Sequence, residues 1–155
     1  MYTFLSLDGT TYLSDRAINS CDIAIPDNIY GIHGKFDRSS MSWVIDPTYL
    51  KEQINTSVAT EIISGFEYTV NNTLYKFKYD LVDQQNLSDI ANTILLNDLK
   101  ASSNTMYIYG YIDGIKTKID ITYKEFIDLY KYAVSTKLDI LEKGNEEKCE
   151  LELQT

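Results

Sequence analysis

The stretch that decides the fold runs from Gly65 to Asn86 and reads GFEYTVNNTLYKFKYDLVDQQN. Its first residue is a glycine, which readily takes the left-handed backbone that ends a helix. Two strand-like runs follow, and the Asn71-Asn72 pair between them tolerates the positive φ angles of a tight hairpin turn. Aromatic and lysine side chains alternate in the second run, Leu74–Tyr79, and predict a sheet with one buried and one wet face. The polar end of the stretch starts the next helix, which we expect over about 83–99.

The helix that precedes this stretch is predicted to begin at Asp46-Pro47 and to end at Gly65. Aspartate is a preferred N-cap, and proline suits the first helical position because its missing N–H has no partner there. Four apolar residues recur at intervals of four and predict one apolar helix face. They are Leu50, Ile54, Val58 and Ile62.

The same order of hairpin and helix occurs again downstream. Two strand-like runs, Met106–Ile112 and Ile115–Ile121, flank Asp113-Gly114, which is a strong hairpin-turn signal. Thr122 and Glu125 then have the spacing of a capping box, in which each side chain binds the backbone N–H of the other residue. They predict the start of a long last helix.

Gly144 is predicted to end that last helix. Its apolar face is predicted to contain Phe126, Leu129, Ala133 and Ile140, widened by Tyr130, Leu138 and Leu141. The helix over about 83–99 is predicted to direct Leu87, Ile90, Ile94 and Leu95 inward. We expect residues 145–155 to form a short, acidic, mobile tail.

The predicted fold class is α+β. A short N-terminal β-rich segment, 1–46, precedes a helix–hairpin–helix–hairpin–helix module, 47–144, whose helices pack on an antiparallel sheet. The N-terminal strands are short, broken by glycine and proline, and too few for an independently stable sheet. We therefore expect residues 1–46 to be a docking segment, with strands held by the module or completed by a neighbouring protein.

Composition argues against several classes of partner. The 155 residues suit one domain, and a net charge of −9 argues against nucleic acid, because binding to phosphate backbones needs clustered basic residues. The charge also disfavours anionic membrane surfaces, and no apolar run approaches the ~18 residues of a membrane span. The N-terminus lacks the basic region of a secretory signal. We expect a chain made in the cytoplasm with Cys21 and Cys149 reduced.

No group of residues indicates catalysis or a cofactor. His33 is the only histidine and lies in a loop between two glycines, which argues against a catalytic triad and excludes a multi-histidine metal site. Phosphate-binding glycine loops are absent, and the N-terminal aspartates follow no metal-loop spacing. We predict a non-enzymatic protein with no catalytic, cofactor-binding or metal-binding residues.

Tyrosine is abundant, at 13 residues, which suits either an interaction surface or the composition of an AT-rich genome. The candidate binding surface consists of Trp43, Tyr107, Tyr109 and Tyr111. The three tyrosines alternate along one predicted strand and therefore share a face. That face suits an aromatic sugar-binding surface and core packing under a helix equally well, so both interpretations stay open.

Several motifs between about Pro47 and Lys143 occur together in one known family. The first group is an amphipathic helix leading into Gly65-Phe66-Glu67-Tyr68, the strand Tyr75–Asp80, and the helix start Asp83-Gln84-Gln85-Asn86. The second group is an aromatic strand before Asp113-Gly114, then Ile119-Asp120-Ile121-Thr122 before Glu125-Phe126, and a long helix. This part of the chain resembles a domain family of tail-fibre, tail-fibre-assembly and baseplate-associated proteins of bacteriophages and prophages. The family commonly has tryptophan in the strand before the Asp-Gly turn, where this chain has tyrosines, and residues 1–46 carry no resemblance.

The resemblance implies a virion context and brings no catalytic residues with it. The leading interpretation is a structural or adaptor component of a phage tail or phage-tail-like particle, at the baseplate or the tail-fibre attachment region. Its partners would be other tail, baseplate or fibre subunits, or further copies of itself, without nucleic acid or membrane insertion. A tail-fibre assembly chaperone and a receptor- or glycan-binding module remain as alternatives. The implied location is the host cytoplasm during assembly and the virion or tail-like particle afterwards.

Overall fold

The structure is a computed structural model, and it describes residues 2–18, 23–97 and 104–153. Helices and antiparallel sheets make up this part of the chain, so the predicted α+β class is confirmed. The chain divides into two compact units, Met1–Gln53 and Ile54–Thr155, and the division falls inside the first helix.

The N-terminal unit contains two small antiparallel sheets. The first has the order β2-β1-β3 and consists of β1 (Tyr2–Leu5), β2 (Thr11–Ser14) and β3 (Ile23–Ile25). The second pairs β4 (Gly34–Asp37) with β5 (Ser42–Ile45). Cys21, which is predicted to be reduced, lies outside the described residues. Buried apolar side chains in the described part of this unit are Phe4, Leu5 and Ile25.

Helix α1 spans Pro47–Ile63, and both of its predicted ends are confirmed. At its start, the Asp46 carboxylate accepts a hydrogen bond of 2.9 Å from the backbone N–H of Thr48. At its end, Gly65 has a φ of +89°. A Cβ atom at Gly65 would also lie 2.0 Å from the carbonyl oxygen of Phe77, so glycine is required there for two independent reasons.

The second unit contains a four-stranded antiparallel sheet. Its order is β6-β7-β8-β9, from β6 (Phe66–Val70), β7 (Thr73–Phe77), β8 (Thr105–Ile112) and β9 (Ile115–Thr122). Both hairpin turns have two central residues with positive φ, as a type I′ turn requires. These values are +50° and +63° at Asn71 and Asn72, and +51° and +80° at Asp113 and Gly114. The predicted turns are therefore confirmed.

The two hairpins of this sheet are joined at a single residue pair. β7 pairs with β8 only at Lys76 and Tyr111, whereas β8 and β9 pair along their whole length. The turn of the first hairpin nevertheless reaches the far edge strand, because the Asn71 side-chain amide donates a 3.3 Å hydrogen bond to the Asp120 carbonyl oxygen on β9. The sheet is therefore strongly coiled, and the hairpins diverge beyond their shared pair.

Helix α2 spans Leu81–Leu96 and begins earlier than predicted. Its N-cap is Asp80, which accepts hydrogen bonds from the backbone of Val82 and Asp83, and Asp83 completes a capping box as the third helical residue. The predicted polar start at Asp83 was wrong because this aspartate caps the helix from inside its first turn. The inward position of Leu95 was also wrong, since that side chain is 48% exposed while Ala91 and Ile94 are buried.

Helix α3 spans Tyr123–Leu153, and the predicted helix end at Gly144 was wrong. Gly144 is buried inside this helix, where a Cβ atom would lie 2.4 Å from a methyl carbon of Val58 on α1. Glycine is used here for close helix packing and not as a helix end. Residues 145–153, predicted to be a mobile tail, are helical, and Lys148 donates a hydrogen bond of 3.1 Å to Asn55.

The core of the second unit lies between one face of the sheet and the helices. The predicted capping box at the start of α3 is confirmed, with a 2.8 Å bond from Thr122 N–H to Glu125 and a 3.2 Å bond in return. Leu138, predicted in the apolar face of α3, is 58% exposed, whereas the unpredicted Ile127 is buried. The buried apolar core residues are Ile62, Phe66, Val70, Phe77, Tyr79, Ala91, Ile94, Ile108, Ile119, Ile121, Phe126, Ile127, Leu129 and Ala133.

Candidate functional site

The predicted tyrosines lie on the outer face of the four-stranded sheet. Along β8, the buried Ile108 and Gly110 alternate with Tyr107 and Tyr109, which are 56% and 49% exposed. Because side chains alternate across a strand, Tyr111 shares that outer face. The prediction that the three tyrosines share a face is confirmed, and the exposure of Tyr107 and Tyr109 excludes core packing under a helix for those two rings.

Lysines from the neighbouring strands lie beside these rings. They are Lys76 and Lys78, on β7 and just after it, and Lys116 and Lys118 on β9. We refer to the three tyrosines and four lysines as the Tyr/Lys face. The cation–π pairs, with their Nζ-to-centroid distances, are Lys78–Tyr111 at 5.1 Å, Lys116–Tyr109 at 4.5 Å and Lys118–Tyr107 at 4.3 Å. Such contacts contribute ~0.5–1 kcal/mol each at exposed sites, so they order the lysines without removing their charge.

The rings do not form a flat surface. The Tyr107 and Tyr109 ring centroids lie 5.9 Å apart with an angle of 80° between the ring planes. Each ring also has a lysine ammonium group over it. A sugar ring or a nucleic-acid base that stacked here would have to displace a lysine and reorient a tyrosine.

The Tyr/Lys face is a basic region of an acidic chain. The whole chain has a net charge of −9, yet this face carries four lysines. Acidic residues on the same face are Glu67, which is paired across the strands with Lys76, and Asp120, which is paired with Tyr107. The positive excess complements an acidic partner and disfavours a basic one.

A slot lies between β8 and α2, where β7 has left the sheet. Its cavity volume is about 360 Å³, within the ~300–1,000 Å³ that is usual for ligand clefts. Apolar side chains line its inner part, including Phe77, Leu87 and Ile108. Lys78 and Lys116 also line it, together with the three tyrosines of β8. A second cavity, of about 910 Å³, adjoins the Lys76–Tyr111 pair.

The β8 backbone directs unpaired groups into this slot. In a two-residue hairpin the residues next to the turn, Ile112 and Ile115, form a hydrogen-bonded pair, and such pairs alternate along the strands. The N–H and C=O groups of Tyr111, Tyr109 and Tyr107 therefore point away from β9. Tyr111 pairs with Lys76, whereas Tyr107 and Tyr109 have no strand partner on that side in the described part of the chain.

A polar link near the start of α2 lies where the chain has left β8. The Gln84 side chain donates a 2.9 Å hydrogen bond to the Tyr79 carbonyl oxygen and accepts a 2.7 Å bond from Lys137 on α3. This link joins the first turn of α2 to α3 only a few residues after the Lys76–Tyr111 pair. It therefore helps to hold the chain in its path away from β8 beyond Phe77.

Asp83 is the acidic residue that lines the slot, and its carboxylate is already engaged. It accepts a 3.3 Å hydrogen bond from the backbone N–H of Asp80. Partial burial, and then the nearby Asp80 carboxylate, raise the pKa of Asp83, whereas hydrogen bonds from the backbone of Asp83 and Val82 lower the pKa of Asp80. As the pH falls, Asp83 therefore takes up a proton before Asp80 does.

Trp43, the fourth predicted binding residue, lies in the N-terminal unit, whereas the tyrosines lie in the other unit. Its indole N–H donates a 2.7 Å hydrogen bond to the Pro26 carbonyl oxygen, and its ring packs edge-on against Phe36 at 5.5 Å. The hydrogen bond holds the β4–β5 hairpin to the preceding loop, whereas the ring contact lies within the hairpin, where Phe36 and Trp43 are paired across the strands. The structure thus gives Trp43 a packing role within its own unit.

Large apolar side chains are exposed in the N-terminal unit. Ile29, just before a short 3-10 turn, is 80% exposed, and Ile32, within that turn, is 94% exposed. Leu7 and Leu13 are also exposed. By contrast, the Asp37 carboxylate in the β4–β5 turn accepts hydrogen bonds from Ser39 and Ser40, and these bonds lower the pKa of Asp37 to about 2. This unit therefore combines defined polar turns with apolar side chains that no described residue buries.

The other candidate groups form no centre in the described residues. His33 stacks on Tyr49 with ring centroids 3.7 Å apart. Among residues 2–18, 23–97 and 104–153, no group of three or more histidine, cysteine, aspartate or glutamate residues is arranged to hold a metal ion. No helix in the same ranges has the length and apolarity to cross a membrane.

No protein-family model, curated protein or solved structure matches this chain.

Sequence reasoning identified part of this site and missed the rest. The outward position of Lys76 and Lys78 follows from the alternation of side chains along a strand. Lys116 and Lys118 alternate in the same way along β9, but their place beside the tyrosines was not predicted. No local sequence pattern indicates the slot, because the slot depends on where the β6–β7 hairpin diverges from the β8–β9 hairpin.

Proposed function

We propose that this chain is a non-enzymatic adaptor of a phage tail or phage-tail-like particle, at the baseplate or the tail-fibre attachment region. The resemblance of Pro47–Lys143 to tail-associated proteins supports the particle context. The helix–hairpin module would serve as the scaffold, and the N-terminal segment as the part that docks. The chain would assemble in the host cytoplasm and remain in the finished particle.

One observation carries the mode of action: the N-terminal unit exposes large apolar side chains. Ile29 and Ile32 are 80% and 94% exposed and lie three positions apart around one turn. Burying an exposed isoleucine contributes ~1.5–3 kcal/mol. A contiguous group of exposed apolar side chains is typical of a surface that a partner covers, and the proposal takes Ile29 and Ile32 as the centre of such a group.

The test is incorporation into particles. Particles purified from cells that express Ile29→Ser/Ile32→Ser should contain at least about tenfold less of this protein than wild-type particles, by quantitative mass spectrometry, if the partner buries both side chains. The matched control is Leu81→Ser/Leu96→Ser, which removes two side chains that are 78% and 86% exposed in the other unit. Unchanged incorporation of the Ile29/Ile32 variant would contradict docking through this unit.

The same preparations separate the adaptor from the assembly chaperone. An adaptor is present in finished particles in a fixed ratio to other tail subunits. A chaperone binds the fibre protein in lysates and is absent from finished particles. The second outcome would replace the proposed function.

A further inference from the structure

The free edge of β8 in the slot has the geometry of a strand-binding site. Tyr107 and Tyr109 direct their backbone N–H and C=O groups into the slot, because β7 pairs with β8 only at Lys76–Tyr111. On the side away from β9, the stretch Thr105–Tyr109 has no strand partner among the residues that the structure describes. This stretch is ~17 Å long at 3.4 Å per residue. An extended chain laid beside it would continue the sheet by strand addition.

The two sides of the slot differ in chemistry. Apolar side chains, including Leu87, Ile90 and Ile108, line the inner side. Lys78 and Lys116 line the slot as well, at the edge of the basic Tyr/Lys face. Side chains of an added strand would alternate between these two sides, so apolar residues suit the inner side and acidic residues the outer side.

We propose that this slot binds an extended strand of a partner protein in which acidic and apolar residues alternate. The strand runs antiparallel to β8, because antiparallel pairing is slightly more stable and both existing neighbours of β8 are antiparallel. A peptide main chain offers regularly spaced donors and acceptors to the β8 edge, whereas a polysaccharide or a nucleic acid does not. The lysine-covered, perpendicular tyrosine rings also give bases and sugars no flat surface for stacking. The slot lies in the second unit, so this site is independent of docking through the N-terminal unit.

The direct test uses a fluorescein-labelled peptide of three Glu-Leu repeats and fluorescence anisotropy with the full-length chain. The peptide should bind at least about tenfold more tightly than a peptide of three Lys-Leu repeats. In the double variant Lys78→Glu/Lys116→Glu this preference should reverse. The matched control Lys131→Glu/Lys143→Glu makes the same change of net charge on exposed positions of α3 and should retain the wild-type preference.

Backbone pairing is tested separately from charge. Residues of an antiparallel strand that lie opposite Tyr107 and Tyr109 are hydrogen-bonded to them and share their outer face, so these residues are the glutamates of the peptide. Methylating the glutamate amide nitrogens should weaken binding about tenfold, whereas methylating those of the leucines should change it less than about twofold. On the protein side, Tyr107→Pro should weaken binding more than Tyr107→Ala, because only proline removes the N–H.

Several outcomes would overturn the proposal. Equal binding of the parent peptide and both methylated peptides would exclude strand addition, even if Tyr107→Pro failed to fold by circular dichroism. Failure of the Glu-Leu peptide to bind, together with binding of a thymidine oligonucleotide or a carboxylated polysaccharide, would assign the face to another class of partner. Concentration-dependent dimerisation of the chain that Tyr107→Pro abolishes would make a second copy the occupant.

Discussion

At the scale of single residues, two glycines show how one residue type serves different purposes. Gly65 has a positive φ and stands against the Phe77 carbonyl group, whereas Gly144 has a helical backbone and stands against Val58. The first permits a backbone conformation, and the second permits a close approach of two helices. From the sequence, both glycines are predicted to end helices. Because glycine has no side chain, the sequence does not show which atoms a Cβ atom at that position would contact.

Replacing Gly65 with alanine should cost more stability than replacing Gly114. Both residues have positive φ, at +89° and +80°, but a Cβ atom at Gly114 has nothing within 4 Å. Gly114→Ala should therefore cost ~1–2 kcal/mol of unfolding free energy through left-handed strain alone. Gly65→Ala should cost clearly more, because the Phe77 carbonyl group must also move. Urea denaturation measures both values, and equal losses would contradict the close contact at Gly65.

Gly144→Ala should destabilise the protein, although the same change in an open helix stabilises it by ~0.5–1 kcal/mol. The reason is the 2.4 Å approach of the new Cβ atom to a Val58 methyl carbon. In the Val58→Ala background the loss should shrink or change sign, because that methyl group is gone. A double-mutant cycle by urea denaturation measures the coupling. Additive effects would mean that α1 and α3 do not meet at these residues.

At the scale of elements, the helix starts follow from local chemistry and the hairpins from their turns. Asp46 and the Thr122–Glu125 pair cap their helices as the sequence predicts. α2 differs because two aspartates three residues apart, Asp80 and Asp83, both suit an N-cap. The sequence does not distinguish them, and the first one caps because Tyr79 must enter the core before the helix begins.

The capping box of α3 should give a pH-dependent contribution to stability. Hydrogen bonds from the backbone and side chain of Thr122 lower the pKa of Glu125 below its ordinary value of 4.5. A carboxylate with a lowered folded-state pKa stabilises the fold above its unfolded pKa, and this contribution is lost as the pH falls through the lowered value. Glu125→Ala should therefore cost stability at pH 7, and the cost should shrink at pH values below 4.5.

Thermal or urea unfolding at several pH values tests this expectation. Glu146→Ala removes an exposed glutamate from the same helix and should change the unfolding free energy by less than ~0.5 kcal/mol. A Glu125→Ala loss that stays constant from pH 7 to pH 3 would mean that the carboxylate charge takes no part in capping.

At the scale of the whole molecule, the continuation of α3 beyond Gly144 extends the helix–hairpin module past its predicted end. The contacts of Gly144 with Val58 and of Lys148 with Asn55 join the end of α3 to α1. A fragment of residues 47–155 should therefore unfold in urea at a higher midpoint than a fragment of residues 47–144. If residues 145–155 were only a mobile tail, the two midpoints would coincide.

Some features of the Tyr/Lys face could be predicted from the sequence, and others depend on the whole molecule. Alternation along β8 places Tyr107, Tyr109 and Tyr111 on one face from sequence alone. Their exposure, and the lysines over their rings, depend on which face the helices cover. The sequence placed Trp43 in the N-terminal segment, apart from the tyrosines, but it did not show that Trp43 packs within its own unit, because that depends on contacts with residues far away in the chain.

The sequence by itself determined the α+β class, the two type I′ hairpin turns, and the caps of α1 and α3. These features depend on interactions within a few residues, which a local pattern records directly. Only the tertiary structure decided that α3 continues through Gly144, that β7 and β8 share one residue pair, and that a slot lies beside Tyr107 and Tyr109. Within the described ranges, the backbone groups of these two tyrosines have no strand partner on the side of the slot. Each of these depends on packing between residues that lie far apart in the chain, where the shape of one element limits the path of another.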